Sequence, residues 1–280
     1  MWEASGMRFF VLSMLAIVGV KLPTYHLQHE RVFADQTSEF NRTVLASVDK
    51  LQATAPDGGG YFTGVKAVPA ESPIGVPVSL FGHPLLSPPR RSSYCSGASY
   101  AALIGALNII FDSRSSELSG DRLEAVRMQE PNGGRREDTV KLWGWWNADG
   151  PGSLYALALY TKMGERVGAL DAEPGDFCNI NWLKGPGHSV VFLGWDWTPE
   201  GEPTMRYWSS QKGTNGLGDQ TSTLASMSGI IFTRLTHPEA LFEFDPTKKM
   251  ERLKIEYDSA TVVAERLKQS GGLGTKTFVR

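Results

Sequence analysis

Two cysteines and five histidines are all that this 280-residue chain offers for thiol and imidazole chemistry. Cys95 and Cys178 are too few for a disulfide framework, and one bridge between them would consume a candidate nucleophile. No Cys-x-x-Cys or His-x-x-x-His spacing gathers metal ligands, so neither a metal nor another cofactor is expected. The net charge is only −2 and the pI about 6.2, so no basic field exists to hold nucleic acid. No internal repeat and no linker between two cores is present. What remains is a chain with 41 % hydrophobic residues, enough for the core of one large α+β domain.

The N-terminus carries Arg8 ahead of an apolar run, Phe9 to Val20. Such a run suits a signal peptide and is short for a membrane span. Residues 1–36 are therefore expected to be a signal peptide or N-terminal anchor, with Val32-Phe33-Ala34 the acceptable cleavage residues; a buried N-terminal helix is the alternative. Export to a periplasmic or extracellular location follows, with membrane contact only through this segment. Residues 37–91 read as a helix and a lead-in. Phe40, Val44, Leu45, Val48 and Leu51 share one helical face, Pro56-Asp57-Gly58 breaks the chain, and the Pro/Gly-rich stretch to Arg91 suits edge strands and loops. His83 lies in that stretch and reads as a surface histidine.

Residues 92–245 carry the chemistry, and 246–280 form a tail with helical stretches at 250–255 and 260–267. Ser153 is placed to cap a second helix with Leu157 and Tyr160 on one face. Strands follow at 176–182, 188–197, 205–211 and 229–235, with 212–216 a loop. Eight tryptophans are many for this length. Those at 143–146 and at 182, 195, 197 and 208 suit core packing or an aromatic-lined groove.

The stretch Ser92 to Ala106 organises the rest. Ser93 is a good N-cap, which puts Cys95 in a first helical turn, where the helix dipole favours a thiolate. Behind it Ala98, Ala101, Ala102, Gly105 and Ala106 let the helix lie close to a sheet. Cys95 is thus a candidate nucleophile, with a small core residue as the other reading; Cys178 reads as a small inward core residue. A thiol needs a base and the base an orienting partner. His188 opens a strand after the turn Gly185-Pro186-Gly187, sharing a face with Val190 and Phe192. On the next strand Tyr207, Ser209 and Gln211 share one side. Gln211 can accept the second imidazole N–H and favour a thiolate–imidazolium pair; Asn215 or Ser209 are the alternatives.

These residues resemble the NlpC/P60 family of cysteine peptidases. Tyr94-Cys95-Ser96-Gly97 is similar to its Cys-Ser-Gly signature. Pro174-Gly175-Asp176-Phe177 and Gly187-His188-Ser189-Val190-Val191-Phe192-Leu193-Gly194 are similar to its Pro-Gly-Asp and Gly-His strands, in the same order. The resemblance spans 92–235 and implies a papain-like fold, a nucleophile helix packed on an antiparallel sheet. It implies amide hydrolysis through a thioester, commonly on peptidoglycan stem peptides, with backbone N–H groups near Cys95 holding the oxyanion. Two positions depart: Tyr94 stands where many members carry Asp, and no histidine occupies the third catalytic position.

Three functions fit this sequence. An exported cysteine amidase or peptidase acting on a peptide or peptidoglycan-like substrate is the first. A papain-like acyltransferase of transglutaminase type keeps the same residues, if the aromatic cleft excludes water. A non-catalytic envelope-binding domain keeps only the fold, and would bury Cys95 away from His188.

Overall fold

A computed structural model describes residues 28–63, 73–86, 90–112, 114, 117–127, 152–247 and 256–271. The apolar run 9–20, the tryptophans at 143–146 and the expected helix at 250–255 lie outside the described residues. The chain starts with a short helix α1 (His29–Val32) and a longer α2 (Glu39–Thr54). A hairpin follows, β1 (Val78–Leu80) with β2 (His83–Leu86), which puts the exposed His83 on a strand rather than in a loop. Next come α3 (Cys95–Ile110) and α4 (Gly120–Arg127), then a π-type helix, α5 (Leu154–Thr161). Seven strands form the main sheet: β3 (Gly164–Val167), β4 (Phe177–Trp182), β5 (His188–Trp197), β6 (Pro203–Gln211), β7 (Gly216–Thr223), β8 (Met227–Leu235) and β9 (Asp258–Ser259). The final helix is α6 (Ala260–Gln269).

Every pairing in that sheet is antiparallel, in the order β3-β8-β4-β5-β6-β7 with β9 against β8. The architecture is α+β, with a helix bearing Cys95 laid against an antiparallel sheet. Period-two alternation divides the strands between two cores. Phe177, Val191, Leu193 and Trp208 join the helices α2 and α3 on one face. Cys178, Ile180, Val190, Phe192 and Tyr207 pack with Val263 and Leu267 of α6 on the other. Cys178 is thus an inward core residue and a free thiol.

α3 is apolar all round because it is covered all round, by α2 on one side and by β5 and β6 on the other. Its glycines set how close the neighbours come. A Cβ on Gly105 would sit 2.1 Å from Ser47 Oγ of α2, and one on Gly97 would sit 2.2 Å from the Pro73 carbonyl. A polar seam joins α3 to the sheet: Ser99 Oγ bonds Ser189 Oγ at 2.7 Å. The Pro174-Gly175-Asp176 stretch is a second anchor. Gly175 takes φ +97° with the Asn41 backbone close behind it. Asp176 is fully buried and accepts from Arg234 Nε and Nη2 at 2.8 Å and from Asn41 Nδ2 at 2.7 Å, which ties α2 to β8.

Three expectations change. Residues 28–36 belong to the folded body rather than to a removable leader: His29 and Phe33 are each 1 % exposed, so a cut beside Phe33 would pull core residues out. The stretch after Lys212 is a loop only to Asn215; from Gly216 it is strand β7, paired with β6 along its whole length. Ser153 does not cap α5; its hydroxyl donates to Asn179 Oδ1 at 2.6 Å.

Candidate active site

Cys95 is the first residue of α3, and Tyr94 just before it is extended, with φ −130° and ψ 159°. The expected serine cap does not form. No side chain caps this helix, and the Ser93 hydroxyl instead donates to Ser210 Oγ on β6 at 2.7 Å. That bond still serves the site, since it pins the entry to α3 against the strand that ends in Gln211.

The thiol is 1 % exposed. Burial pushes its pKa up to about 11, although the Ser189 and Ser96 backbone N–H groups and the Tyr94 hydroxyl all favour the thiolate. The expectation of a lowered thiol pKa is therefore reversed. A helix N-terminus is worth only about 0.3–1 kcal/mol to a negative charge, whereas removing that charge from water costs several.

His188 is 8 % exposed, and burial pushes its pKa down to about 4, with Gln211 opposing that shift. Its ring lies edge-on to Tyr207 at 5.6 Å and tilted to Trp182 at 6.1 Å between centroids. Gln211 is oriented for this role. Its Nε2 donates to Thr214 Oγ1 and to the Gly218 carbonyl, both at 2.8 Å. A backbone carbonyl accepts only, so that bond fixes which end of the carboxamide is nitrogen. The oxygen is left buried, with no full hydrogen bond from a described residue and with His188 as the group on which it acts.

The alternatives to Gln211 are otherwise engaged. Ser209 Oγ donates to the Ser189 carbonyl at 2.7 Å. Asn215 turns the chain in a left-handed conformation, φ +51°, its backbone carbonyl accepts from Gly60 N–H at 2.7 Å, and it is not among the groups that act on His188.

The structure thus brings Cys95, His188 and Gln211 to one end of the sheet, joined through the first residues of β5. The Ser189 N–H acts on the Cys95 sulfur, one residue from His188. Yet the thiol and the imidazole reach β5 from opposite faces. Ser189 points to α3, while His188 shares its face with Val190 and Phe192 and packs on Tyr207. His188 is not among the groups that act on the sulfur. Thiol and imidazole are both neutral at rest, so the expected thiolate–imidazolium pair is not the resting state.

Beside His188 opens a cleft of about 250 Å³, walled by Tyr61, Tyr94, Trp182 and Tyr207 with Lys212 on its lining. Tyr61 and Tyr94 stack at 5.8 Å and 25°. Tyr94 lines the cleft and Cys95 does not, so Tyr94 covers the sulfur to which its hydroxyl donates. Sequence reading missed the part of Tyr61 and treated Tyr94 only as a departure from a motif. The signal available was an aromatic residue directly before the nucleophile. Among the described residues, no cluster of three or more His, Cys, Asp or Glu side chains is arranged to hold a metal.

Comparison of the chain with family models, with curated proteins and with solved structures finds no match in any of the three.

Proposed function

We propose that the protein is a cysteine hydrolase of the NlpC/P60-like, papain-like type, cleaving an amide bond in a peptide or peptidoglycan-like substrate. One observation carries the reading. Cys95 at the start of α3 is held by the backbone N–H next to His188, and His188 in turn faces a carboxamide oxygen fixed by two donor bonds. These residues supply a nucleophile, a base and an orienting group for acyl transfer once thiol and imidazole are brought to the same face.

In the reaction Cys95 Sγ attacks the amide carbon while His188 takes the thiol proton. The C–N bond breaks, the amine leaves with that proton, and a thioester remains. His188 then takes a proton from water, the hydroxide adds to the thioester, and the carboxylic acid departs as the thiol is restored. The Cys95 and Ser96 backbone N–H groups, already directed at the sulfur, are the donors nearest the developing oxyanion.

Tyr94 must first leave the sulfur and the imidazole must swing round the end of β5. His188 is paired with Ile180 of β4, so that movement has to open the first pair of β5. The site is latent at rest, because burial keeps both partners uncharged.

Export to the cell envelope fits the apolar run 9–20 ahead of a folded body that starts by residue 28. No helix among the described residues is long and apolar enough to cross a membrane. The burial of Cys95 on the face of β5 opposite His188 favours a second reading, the non-catalytic envelope-binding domain on this fold.

The test is mass spectrometry of peptidoglycan fragments incubated with the protein, with and without an added acceptor amine. Hydrolysis gives a new carboxylate and a free amine; transfer gives the new amide. Loss of both products in Cys95→Ala and His188→Ala supports the reading. Equal product from wild type and Cys95→Ala, or no product from any of them, leaves a binding domain on this fold.

A further inference from the structure

The cleft beside His188 has a composition that its catalytic neighbours do not require. Four of its walls are aromatic, Tyr61, Tyr94, Trp182 and Tyr207, and they come from four separate parts of the chain: the arm after α2, the entry to α3, the end of β4 and the middle of β6. Tyr94 and Tyr207 are buried, Tyr207 as part of the second core, while Trp182 at the sheet end and Tyr61 on the arm stay part-exposed.

The cleft is also electrically one-sided. Among the described residues no carboxylate lines it, and Lys212 is the one formal charge, exposed and without an ion-pair partner. The imidazole is neutral, and burial raises the Tyr61 and Tyr207 hydroxyls to about 12, so they too stay uncharged.

We infer that this cleft binds a planar aromatic side chain of the substrate and disfavours cationic side chains. The inference rests on the reading of His188 as part of an acyl-transfer site, which makes the occupant of the cleft beside it a piece of the substrate.

Size agrees. The cleft measures about 250 Å³, more than the about 150 Å³ in which a benzene ring fits, and its lining mixes aromatic rings with the polar groups of Gln211, Lys212 and Gln220. Geometry agrees as well. Aromatic rings associate edge-to-face or offset-stacked at centroid separations of about 4.5–7 Å, and the His188–Tyr207 and Tyr61–Tyr94 pairs already show both arrangements. A ring entering between such walls meets the partners that rings prefer. A cation finds aromatic faces there too, but it also meets Lys212, with no carboxylate among the described lining residues to offset the repulsion.

The experiment is calorimetric binding to the full chain bearing Cys95→Ala, so that no turnover intrudes. The probes are N-acetyl-phenylalaninamide, N-acetyl-glutaminamide and N-acetyl-lysinamide, titrated to about 10 mM because ligands of this size bind weakly. The aromatic probe is expected to bind about tenfold tighter than the other two. Trp182→Ala should remove most of that preference. Lys212→Glu, on an exposed side chain that the fold does not need, should strengthen lysinamide binding several-fold, and it keeps the test alive if Trp182→Ala fails to fold. Equal affinity for the three probes, tighter binding of lysinamide to the unmodified cleft, or no saturable binding of any probe overturns the inference. Aromatic preference without hydrolysis in the wild-type protein would leave the cleft assigned and remove the hydrolase.

Discussion

His29 Nε2 lies 2.8 Å from Asp219 Oδ1, across 190 residues of sequence, while its Nδ1 lies 2.6 Å from Asp49 Oδ1. One imidazole therefore joins the N-terminal segment to α2 and to β7. Arg206 Nη2 on β6 holds the other oxygen of Asp219 at 2.8 Å, and the Phe33 ring stacks beside the imidazole. Burial opposes a charge on His29, but the two carboxylates outweigh it, and its pKa rises from 6.5 to about 9.

A pH signature follows from that shift. A base whose folded pKa is raised stabilises the fold fully below its unfolded pKa, and the contribution is lost as pH rises through the folded one. Here the loss falls between about pH 6.5 and pH 9 and is on the order of 3 kcal/mol. Thermal melts of wild type should decline across that window. In His29→Gln the carboxylates lose their imidazolium, stability at pH 7 drops by a similar amount, and the decline flattens. Parallel pH curves for the two proteins would contradict the charged bridge.

His188 has the opposite sign. Its folded pKa of about 4 lies below the unfolded 6.5, so the unfolded chain takes up the proton first as the solution is acidified. Stability therefore falls from about pH 6.5 down to pH 4, and His188→Phe should lose this acid sensitivity. Gln211→Glu should raise the His188 pKa by at least about one unit, because a carboxylate replaces the neutral oxygen that now faces the ring. Titration of the His188 ring by NMR reads this directly. An unchanged pKa in Gln211→Glu would remove Gln211 as the orienting group.

How much of this was visible in the chain depends on where each residue's partners lie. Strand β5 runs from His188 to Trp197 as its apolar run and the Gly-Pro-Gly turn indicate. The small-faced helix after Tyr94 is equally plain, since alanine and glycine at close spacing have few other uses. β7 was not legible. Gly216 to Thr223 contains Leu217 as its one large apolar side chain, because this strand ends the pairing order and its polar side faces solvent. The bridge at His29 was hidden for another reason: its partners are distant in sequence, and a lone histidine beyond an apolar run looks like part of a leader. The thiol pKa was misjudged because the helix-end effect can be read locally, whereas burial depends on Tyr94, Tyr61 and the whole of β5.

Cover over the thiol should be measurable by alkylation. Cys95 is expected to react with iodoacetamide far more slowly than a free thiol at pH 8, because it is shielded and its pKa is near 11. Removing the aromatic cover in Tyr94→Ala should speed labelling at least about tenfold, in proportion to the access gained. Cys178, fully buried in the second core, should stay unlabelled in both proteins until they unfold. Peptide mapping after a timed pulse separates the two sites. Rapid labelling of Cys95 in the wild type would show that Tyr94 does not close the site.

The contact between Gly105 and Ser47 offers a test of how tightly the helix that carries Cys95 is held. A methyl group at 105 would lie 2.1 Å from Ser47 Oγ and 3.2 Å from Ser47 Cβ, inside van der Waals contact, and Ser47 is only 1 % exposed. The hydroxyl has little room to retreat, so α2 and α3 must part. Gly105→Ala should therefore cost about 1–3 kcal/mol by overpacking, despite the better helix propensity of alanine. Ser47→Gly alone should also destabilise, through lost packing and helix propensity. Combined, the two changes exchange the occupant of one small space, so the double variant should be markedly more stable than the sum of the single effects predicts, with a coupling of about 1 kcal/mol or more. Denaturant melts of the four proteins give that coupling. A value near zero would mean that α3 sits farther from α2 than described, and the close packing that fixes Cys95 against β5 would lose its support.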